Sequence, residues 1–230
     1  MSVIVKICGL STEETLDAAL DAGVDMVGFV FFPKSPRAVS IERAAALAAR
    51  ARGRAEIVAL TVDMDDAGLA AIVDTVRPDW LQLHGGESVA RVAEIRQRFG
   101  LKVMKALGIR SAEDIASAPA YAGIADRLLL DAKPPKGATL PGGNGVTFDW
   151  HLLDALDPGL SYMLSGGLDA DNVAEALALT RPFGIDASSG VESAPGIKDP
   201  ARIRAFIAAI RGFRPTADQG RTIAGERISS

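Results

Sequence analysis

The sequence predicts an α/β fold, a single-domain (β/α)₈ barrel of the TIM type, over residues 1–212. Short β-branched or leucine-rich segments alternate with longer segments whose apolar residues recur every three or four positions. Eight such strand segments occur, and 230 residues is a usual length for one barrel domain. An open doubly wound sheet shows the same alternation, but eight similar units favour the closed barrel.

The predicted strands share short apolar runs that end before polar or glycine residues. In chain order they are 3–8, 25–30, 56–62, 79–84, 101–106, 126–131, 160–165 and 183–188. Strict alternation of strand and helix predicts parallel strands joined by crossover helices.

Two helix starts carry capping signals. Ser11 with Glu14 is typical of a capping box, and Asp199 followed by Pro200 is typical of an N-cap with proline in the first turn. The apolar periodicity stops after residue 212, and the polar segment 213–230 is expected to be a mobile tail with no predicted role.

Composition excludes several classes of protein. A net charge of −4 argues against a nucleic-acid or membrane surface as the main partner, although a local basic site for a small anion is compatible with it. Cys8 is the single cysteine, so no intrachain disulfide is possible. Lys6 interrupts the first apolar stretch, which is too short for a signal peptide, and a cytoplasmic protein is expected.

Two titratable residues end predicted strands, where the catalytic groups of barrels lie. Lys6 and Cys8 share one face of the first strand and should point into the barrel mouth. The Cys8 thiol is either a general base activated by a nearby cation such as Lys6, or a small buried hydrophobe. Asp131 follows the apolar run 128–130 and is either a proton donor with a raised pKa or an Asp that closes a loop.

Small residues follow the last two predicted strands. Barrels often bind phosphate in these loops through backbone amides and a short helix N-terminus. The segments are Ser165, Gly166, Gly167 and Ser188, Ser189, Gly190. They predict a phosphate site, although a single glycine pair by itself marks only a turn.

Other polar residues are more ambiguous. Arg37, in the proline-restricted loop 33–37, has a planar fork suited to a carboxylate, but a solvated loop arginine is the common alternative. His84 and His151 are either site residues or ordinary hydrogen-bonded histidines, and their spacing predicts no metal. No cofactor is expected.

Several ordered segments together resemble the phosphoribosylanthranilate isomerase family, and the resemblance runs from the first strand to the last helix. They are KICGL (6–10), VGFVFFPKSPRAVS (27–40), LQLHGGES (81–88), LLLDA (128–132), PGGNGVTFDW (141–150), LSGGLDADNVAEAL (164–177) and DASSGVESAPGIKD (186–199).

The resemblance implies an Amadori rearrangement of N-(5-phosphoribosyl)anthranilate in tryptophan biosynthesis, with no cofactor. It implies that Cys8 is the general base, Asp131 the general acid and Arg37 the group that binds the anthranilate carboxylate. The expected substrate-binding set is Arg37, His84, Gly166, Gly167, Asp186, Ser188, Ser189 and Gly190.

One position departs from the family pattern, because Asn144 stands where threonine is usual, and a local effect on the loop after the sixth strand is expected. One rival is the isomerase of the analogous histidine-pathway substrate, or a dual-substrate version, in which the first strand would end in Asp. The other rival is a non-catalytic phosphate-ligand sensor, which would need neither Cys8 nor Asp131. A small phosphorylated substrate is the expected partner, and the chain is expected to be a monomer or a homodimer.

Overall fold

Eight parallel strands close into a barrel in the computed structural model, which describes residues 3–133, 142–143, 145, 147–157 and 159–214. β1 pairs with both β2 and β8, so the sheet has no open edge. The barrel prediction is therefore confirmed, and the open sheet is excluded. The strands are β1 Ile4–Cys8, β2 Met26–Val30, β3 Glu56–Thr61, β4 Trp80–Leu83, β5 Lys102–Ile109, β6 Arg127–Ala132, β7 Tyr162–Leu164 and β8 Gly184–Ala187.

Helices follow the strands and cover the barrel. They are α1 Glu13–Asp21, α2 Ile41–Ala51, α3 Asp66–Val76, α4 Val89–Phe99, α5 Ala112–Ala116, α6 Val173–Thr180 and α7 Pro200–Gly212. A 3₁₀ helix, Trp150–Ala155, takes the place of an α-helix between β6 and β7, and it carries the exposed His151. None of the described helices is both long and apolar enough to cross a membrane.

The first helix starts one residue later than predicted. Thr12, not Ser11, is the N-cap of α1, and its side chain accepts a hydrogen bond from the backbone of Thr15. The prediction of a Ser11–Glu14 capping box was therefore wrong, because the third helical residue is Thr15. Asp199 does cap α7, where its carboxylate accepts from the amide of Ala201 at 2.7 Å.

The barrel interior changes from apolar to polar along its axis. Near the amino ends of the strands it is filled by large apolar side chains, among them Met26, Trp80, Met104 and Met163, which are at most 4% exposed. Nearer the carboxyl ends, Lys6 and Gln82 are fully buried inside the barrel. Catalytic polar groups can therefore collect only at the carboxyl end.

Carboxylates tie neighbouring strands together at the amino end. The residue before β2, β4 and β6 is an aspartate, and each aspartate exchanges two hydrogen bonds with one residue of the preceding strand. Its amide donates to that residue's carbonyl, and its carboxylate accepts from the same residue's amide at 2.7–2.8 Å. The pairs are Asp25 with Val5, Asp79 with Ile57, and Asp126 with Val103. The equivalent position before β8 is Phe183, whose amide donates to Tyr162 without a carboxylate.

Two features were not predicted from the sequence. β5 continues to Ile109, three residues past its predicted end, alongside the carboxyl end of β6. A short antiparallel hairpin of β9 (Glu192–Ala194) and β10 (Ile197–Lys198) follows β8. The hairpin matters because it carries charged groups to the barrel mouth.

Candidate active site

A cleft opens at the carboxyl ends of the strands and encloses about 690 Å³, counting space open to solvent. Ligand pockets of small-molecule enzymes commonly fall in this range. The predicted site residues that border this cleft are Cys8, Arg37, His84, Asp131, Gly166, Gly167, Asp186, Ser188 and Ser189. Gly190 lies behind it, packed against Leu168 of the β7 loop so closely that a Cβ would meet the Leu168 carbonyl.

Cys8 lies at the end of β1 beside a buried ion pair. Lys6 is fully buried and its Nζ donates to Asp186 Oδ1 at 2.9 Å. Gly28, on the neighbouring strand β2, leaves room for both side chains, because a Cβ there would lie 3.0 Å from Cys8 Sγ and 3.2 Å from Lys6 Nζ. The alternation predicted for β1 is thus realised, with Lys6 and Cys8 on the inner face.

Burial and the neighbouring lysines act in opposite directions on the pKa of the Cys8 thiol. Burial raises the pKa of Cys8 above its ordinary value, while the ammonium groups of Lys6 and Lys198 favour the thiolate and the Asp186 carboxylate disfavours it. Burial also opposes the charged form of Lys6, but Asp186 and Cys8 together raise the pKa of Lys6. Cys8 is therefore a thiol at neutral pH in the substrate-free protein, and a cation stands ready to stabilise its thiolate.

Asp131 is buried near the end of β6, and its carboxylate lies beside His84. His84 Nε2 lies 3.2 Å from Asp131 Oδ2, and Asp131 Oδ1 accepts from the amide of Ala132 at 2.9 Å. Gln82 Nε2 lies 3.0 Å from His84 Nδ1. The Asp131 carboxylate thus has the Ala132 amide on one oxygen and the His84 ring beside the other.

Arg37 reaches the cleft, but part of its guanidinium is already hydrogen-bonded within the protein. Its Nε donates to Glu192 Oε1 at 2.7 Å and its Nη2 to Glu192 Oε2 at 2.9 Å, and Nη2 also donates to the Gly143 carbonyl at 3.1 Å. The residue as a whole is 5% exposed, so it is not the solvated loop arginine considered from the sequence. Glu192, from the hairpin, occupies one whole edge of the guanidinium.

The loops after β7 and β8 form the side of the cleft predicted to bind phosphate. Gly166 and Gly167 both adopt positive φ, at 93° and 61°. Ser188 Oγ donates to the Cys8 carbonyl at 3.1 Å, and Lys198 Nζ donates to the Ser188 carbonyl at 3.0 Å. A buried ammonium group thus supports the β8 loop from behind.

Sequence reasoning missed Glu192, Lys198 and Gln82. Gln82 could have been found by extending the alternation of β4, since it lies between the apolar residues Leu81 and Leu83 and faces inward. Glu192 and Lys198 gave no such signal, because the segment after β8 has no strand-like apolar pattern. Asn144 lies outside the described residues, as does the tail beyond residue 214. Among the described residues, no group of three or more His, Cys, Asp or Glu could hold a metal ion.

Comparison with known proteins gives one consistent family. A family model described as N-(5'-phosphoribosyl)anthranilate (PRA) isomerase matches residues 5–209. The N-(5'-phosphoribosyl)anthranilate isomerase of Rhodopseudomonas palustris (strain BisA53) is 65% identical over 211 residues, covering 92% of this chain and 97% of the relative.

Solved structures agree with the sequence comparison. The crystal structure of phosphoribosyl anthranilate isomerase from Thermotoga maritima is 37% identical with a TM-score of 0.83, covering 92% of this chain and 100% of that chain. A structure of the enzyme in complex with reduced 1-(o-carboxyphenylamino)-1-deoxyribulose 5-phosphate is 33% identical with a TM-score of 0.78 and the same coverage.

Proposed function

The chain belongs to the N-(5'-phosphoribosyl)anthranilate isomerase family, and from this premise we propose how its own residues carry out the reaction. The protein is an isomerase of tryptophan biosynthesis that converts N-(5'-phosphoribosyl)anthranilate into 1-(o-carboxyphenylamino)-1-deoxyribulose 5-phosphate. In our proposal Asp131 is the general acid and Cys8 the general base of an Amadori rearrangement.

The observation that carries this assignment is that a carboxyl group and a thiol border the same cleft. Asp131 donates a proton to the furanose ring oxygen, the C1–O bond breaks, and the nitrogen lone pair forms the C1=N bond of an iminium ion. The Ala132 amide, which donates to Asp131 Oδ1, stabilises the carboxylate left behind, and the His84 ring lies beside the other oxygen.

Cys8 then acts on the iminium ion. Its thiolate takes the proton from C2, the C2–H electrons form a C1=C2 bond, and the C1=N electrons return to nitrogen. The resulting enolamine tautomerises to the ketone. The cation of Lys6, which favours the thiolate of Cys8, lies on the same inner face of β1. Each proton transfer of this kind typically contributes about 10² to 10⁴ in rate.

The two ends of the substrate are assigned to different loops. We assign the anthranilate carboxylate to Arg37 and the phosphate to the loops that carry Gly166, Gly167, Ser188 and Ser189. These loops border the cleft, and glycine allows an anion to approach the backbone closely. The monomeric or homodimeric state and the cytoplasmic location expected from the sequence stay predictions.

The loss of substrate fluorescence on conversion of N-(5'-phosphoribosyl)anthranilate tests the proposal, with the wild type and an Asp131→Asn variant compared directly. Rapid decay is expected with the wild type and a rate lower by about 10² to 10⁴ with the variant. Substrate binding should persist in the variant, because Asn keeps the size of the side chain.

The alternatives give different results. No decay with the wild type, together with turnover of the histidine-pathway aminoaldose, would assign the chain to that other reaction. Tight binding of the phosphorylated substrate without turnover of either compound would indicate a sensor.

A further inference from the structure

Glu192 contacts both Arg37 and Lys198, and neither the sequence prediction nor the acid–base assignment gives it a role. We propose that Glu192 is a positioning residue, which holds the Arg37 guanidinium so that its Nη1 side meets the carboxylate of the substrate. This inference rests on the proposed function and names what sets the specificity for a carboxylated aniline ring at that site.

The contact between the two residues is bidentate and buried. Two nitrogens of Arg37 meet two oxygens of Glu192 at 2.7 and 2.9 Å, and the side chains are 6% and 4% exposed. Parallel hydrogen bonds of this kind fix the plane of a guanidinium as well as its position. Among the described residues, Nη1 has no acceptor, and Arg37 borders the cleft. Nη1 is therefore the nitrogen of the guanidinium left for a ligand, and the contacts with Glu192 hold it in a defined direction.

Two glycines leave Arg37 little space to adopt another arrangement. A Cβ at Gly9 would lie 2.8 Å from Arg37 Cδ, and a Cβ at Gly143 would lie 2.6 Å from Nη1. The aliphatic stem and the guanidinium therefore pass directly against backbone at both positions. Glu192 closes the remaining side, so the orientation is set by the protein before the substrate arrives.

Arg37, Glu192 and Lys198 form a buried charged cluster whose charges suit an anionic ligand. Lys198 Nζ donates to Glu192 Oε1 at 2.5 Å, so two cations share one carboxylate. The amide of Gly196 also donates to Glu192 Oε2 at 3.1 Å. Burial opposes ionisation of Glu192, but hydrogen bonds from Arg37 and Lys198 hold its pKa below the usual range. Burial lowers the pKa of Lys198, while Glu192 favours its charged form. With Glu192 and Lys198 both charged, Arg37 adds one positive charge that the substrate carboxylate can neutralise.

A purely structural role is the alternative, in which Glu192 only anchors the hairpin through Lys198. The two roles differ in whether Glu192 influences recognition of the carboxylate. Glu87 offers a matched control, because it also lies at the carboxyl end of the barrel and forms a buried pair with Lys105 at 2.7 Å. Its contacts stabilise the loop after β4 and do not include Arg37.

The experiment compares two ligands by calorimetry. One is reduced 1-(o-carboxyphenylamino)-1-deoxyribulose 5-phosphate, and the other is the same compound made from aniline, which lacks the carboxylate. The wild type should bind the carboxylated ligand about 10- to 100-fold more tightly, as expected for a charge-assisted hydrogen bond. In Glu192→Gln this ratio should fall at least about fivefold, while Glu87→Gln should keep the wild-type ratio.

A second, more conservative variant keeps the test valid if Glu192→Gln does not fold. Glu192→Asp keeps the negative charge beside Lys198 but is one methylene shorter, so it cannot hold both nitrogens of Arg37 in the same place. It should also lower the ratio, with a larger effect on KM than on kcat for the natural substrate.

The outcomes separate the inference from the proposed function. Unchanged ratios in folded Glu192 variants, or an equal fall in Glu87→Gln, would overturn the positioning role and leave the isomerase assignment intact. Failure of the wild type to bind either ligand would instead overturn the proposed function, and this inference with it.

Discussion

The protonation of Cys8 is decided by charged residues that are almost fully buried. Burial raises its pKa, and Lys6 and Lys198 pull in the other direction from the barrel interior and the hairpin. The thiolate fraction therefore grows as pH rises, and kcat/KM should increase from neutral pH up to and beyond the ordinary thiol pKa. Because Cys8 is the single cysteine, its alkylation by iodoacetamide should follow the same pH dependence. Activity that declines over this range would contradict the assignment.

The raised pKa of Cys8 also makes the free energy of unfolding depend on pH. A thiol whose folded-state pKa is raised holds its proton more tightly in the folded protein. The contribution of Cys8 to the free energy of unfolding is fully present below the ordinary thiol pKa. It is lost as pH rises through the folded-state pKa. The alkaline gain in rate is therefore accompanied by a loss of stability.

Replacement of the thiol separates proton transfer from binding. Cys8→Ser should lower kcat by about 10² to 10⁴ with a small change in KM, because the hydroxyl is a much weaker base of similar size. The rise of rate with pH should also disappear. Steady-state kinetics across pH would measure both effects, and a near-normal rate would show that another group removes the proton.

At the scale of the element, the start of α1 offers a matched pair of substitutions. Thr12→Ala should lower the free energy of unfolding by about 0.5 to 2 kcal/mol, because it removes the acceptor for the Thr15 amide. Ser11→Ala should cost less than about 0.5 kcal/mol, since Ser11 does not cap the helix. Urea denaturation of both variants measures the difference, and equal losses would show that the cap is shared.

Elements with a regular pattern could be predicted, and irregular ones could not. β1 and α7 follow alternation or capping signals that are visible in the sequence. The end of β5 at Ile109 depends on pairing with β6, which is a tertiary contact. The β9–β10 hairpin lacks an apolar alternation, and its residue Glu192 is placed by buried ion pairs formed only after folding. The sequence pointed to cleft residues that end strands, but it gave no signal for the charged groups that the hairpin brings to Arg37.

At the scale of the whole molecule, the closed barrel brings residues far apart in sequence to one place. Lys6 and Asp186 are 180 positions apart and pair because β1 and β8 are neighbours. Arg37 and Glu192 meet across the loops of β2 and β8. The proposed general base Cys8, the proposed carboxylate-binding Arg37 and the predicted phosphate loops therefore all depend on closure between the first and last strands.

The aspartates at the amino end of the barrel divide it into modules of two strands. Asp25 ties β2 to β1, Asp79 ties β4 to β3, and Asp126 ties β6 to β5. In the part of the chain that the structure describes, no carboxylate ties β8 to β7 in this way. Circular permutants with new termini between modules, in the α2 to β3 or α4 to β5 connection, should keep these ties and melt close to the parent. Permutants cut inside a module, in the α1 to β2 or α3 to β4 connection, should melt at lower temperature. Calorimetry of the set would show whether the barrel behaves as an assembly of strand pairs.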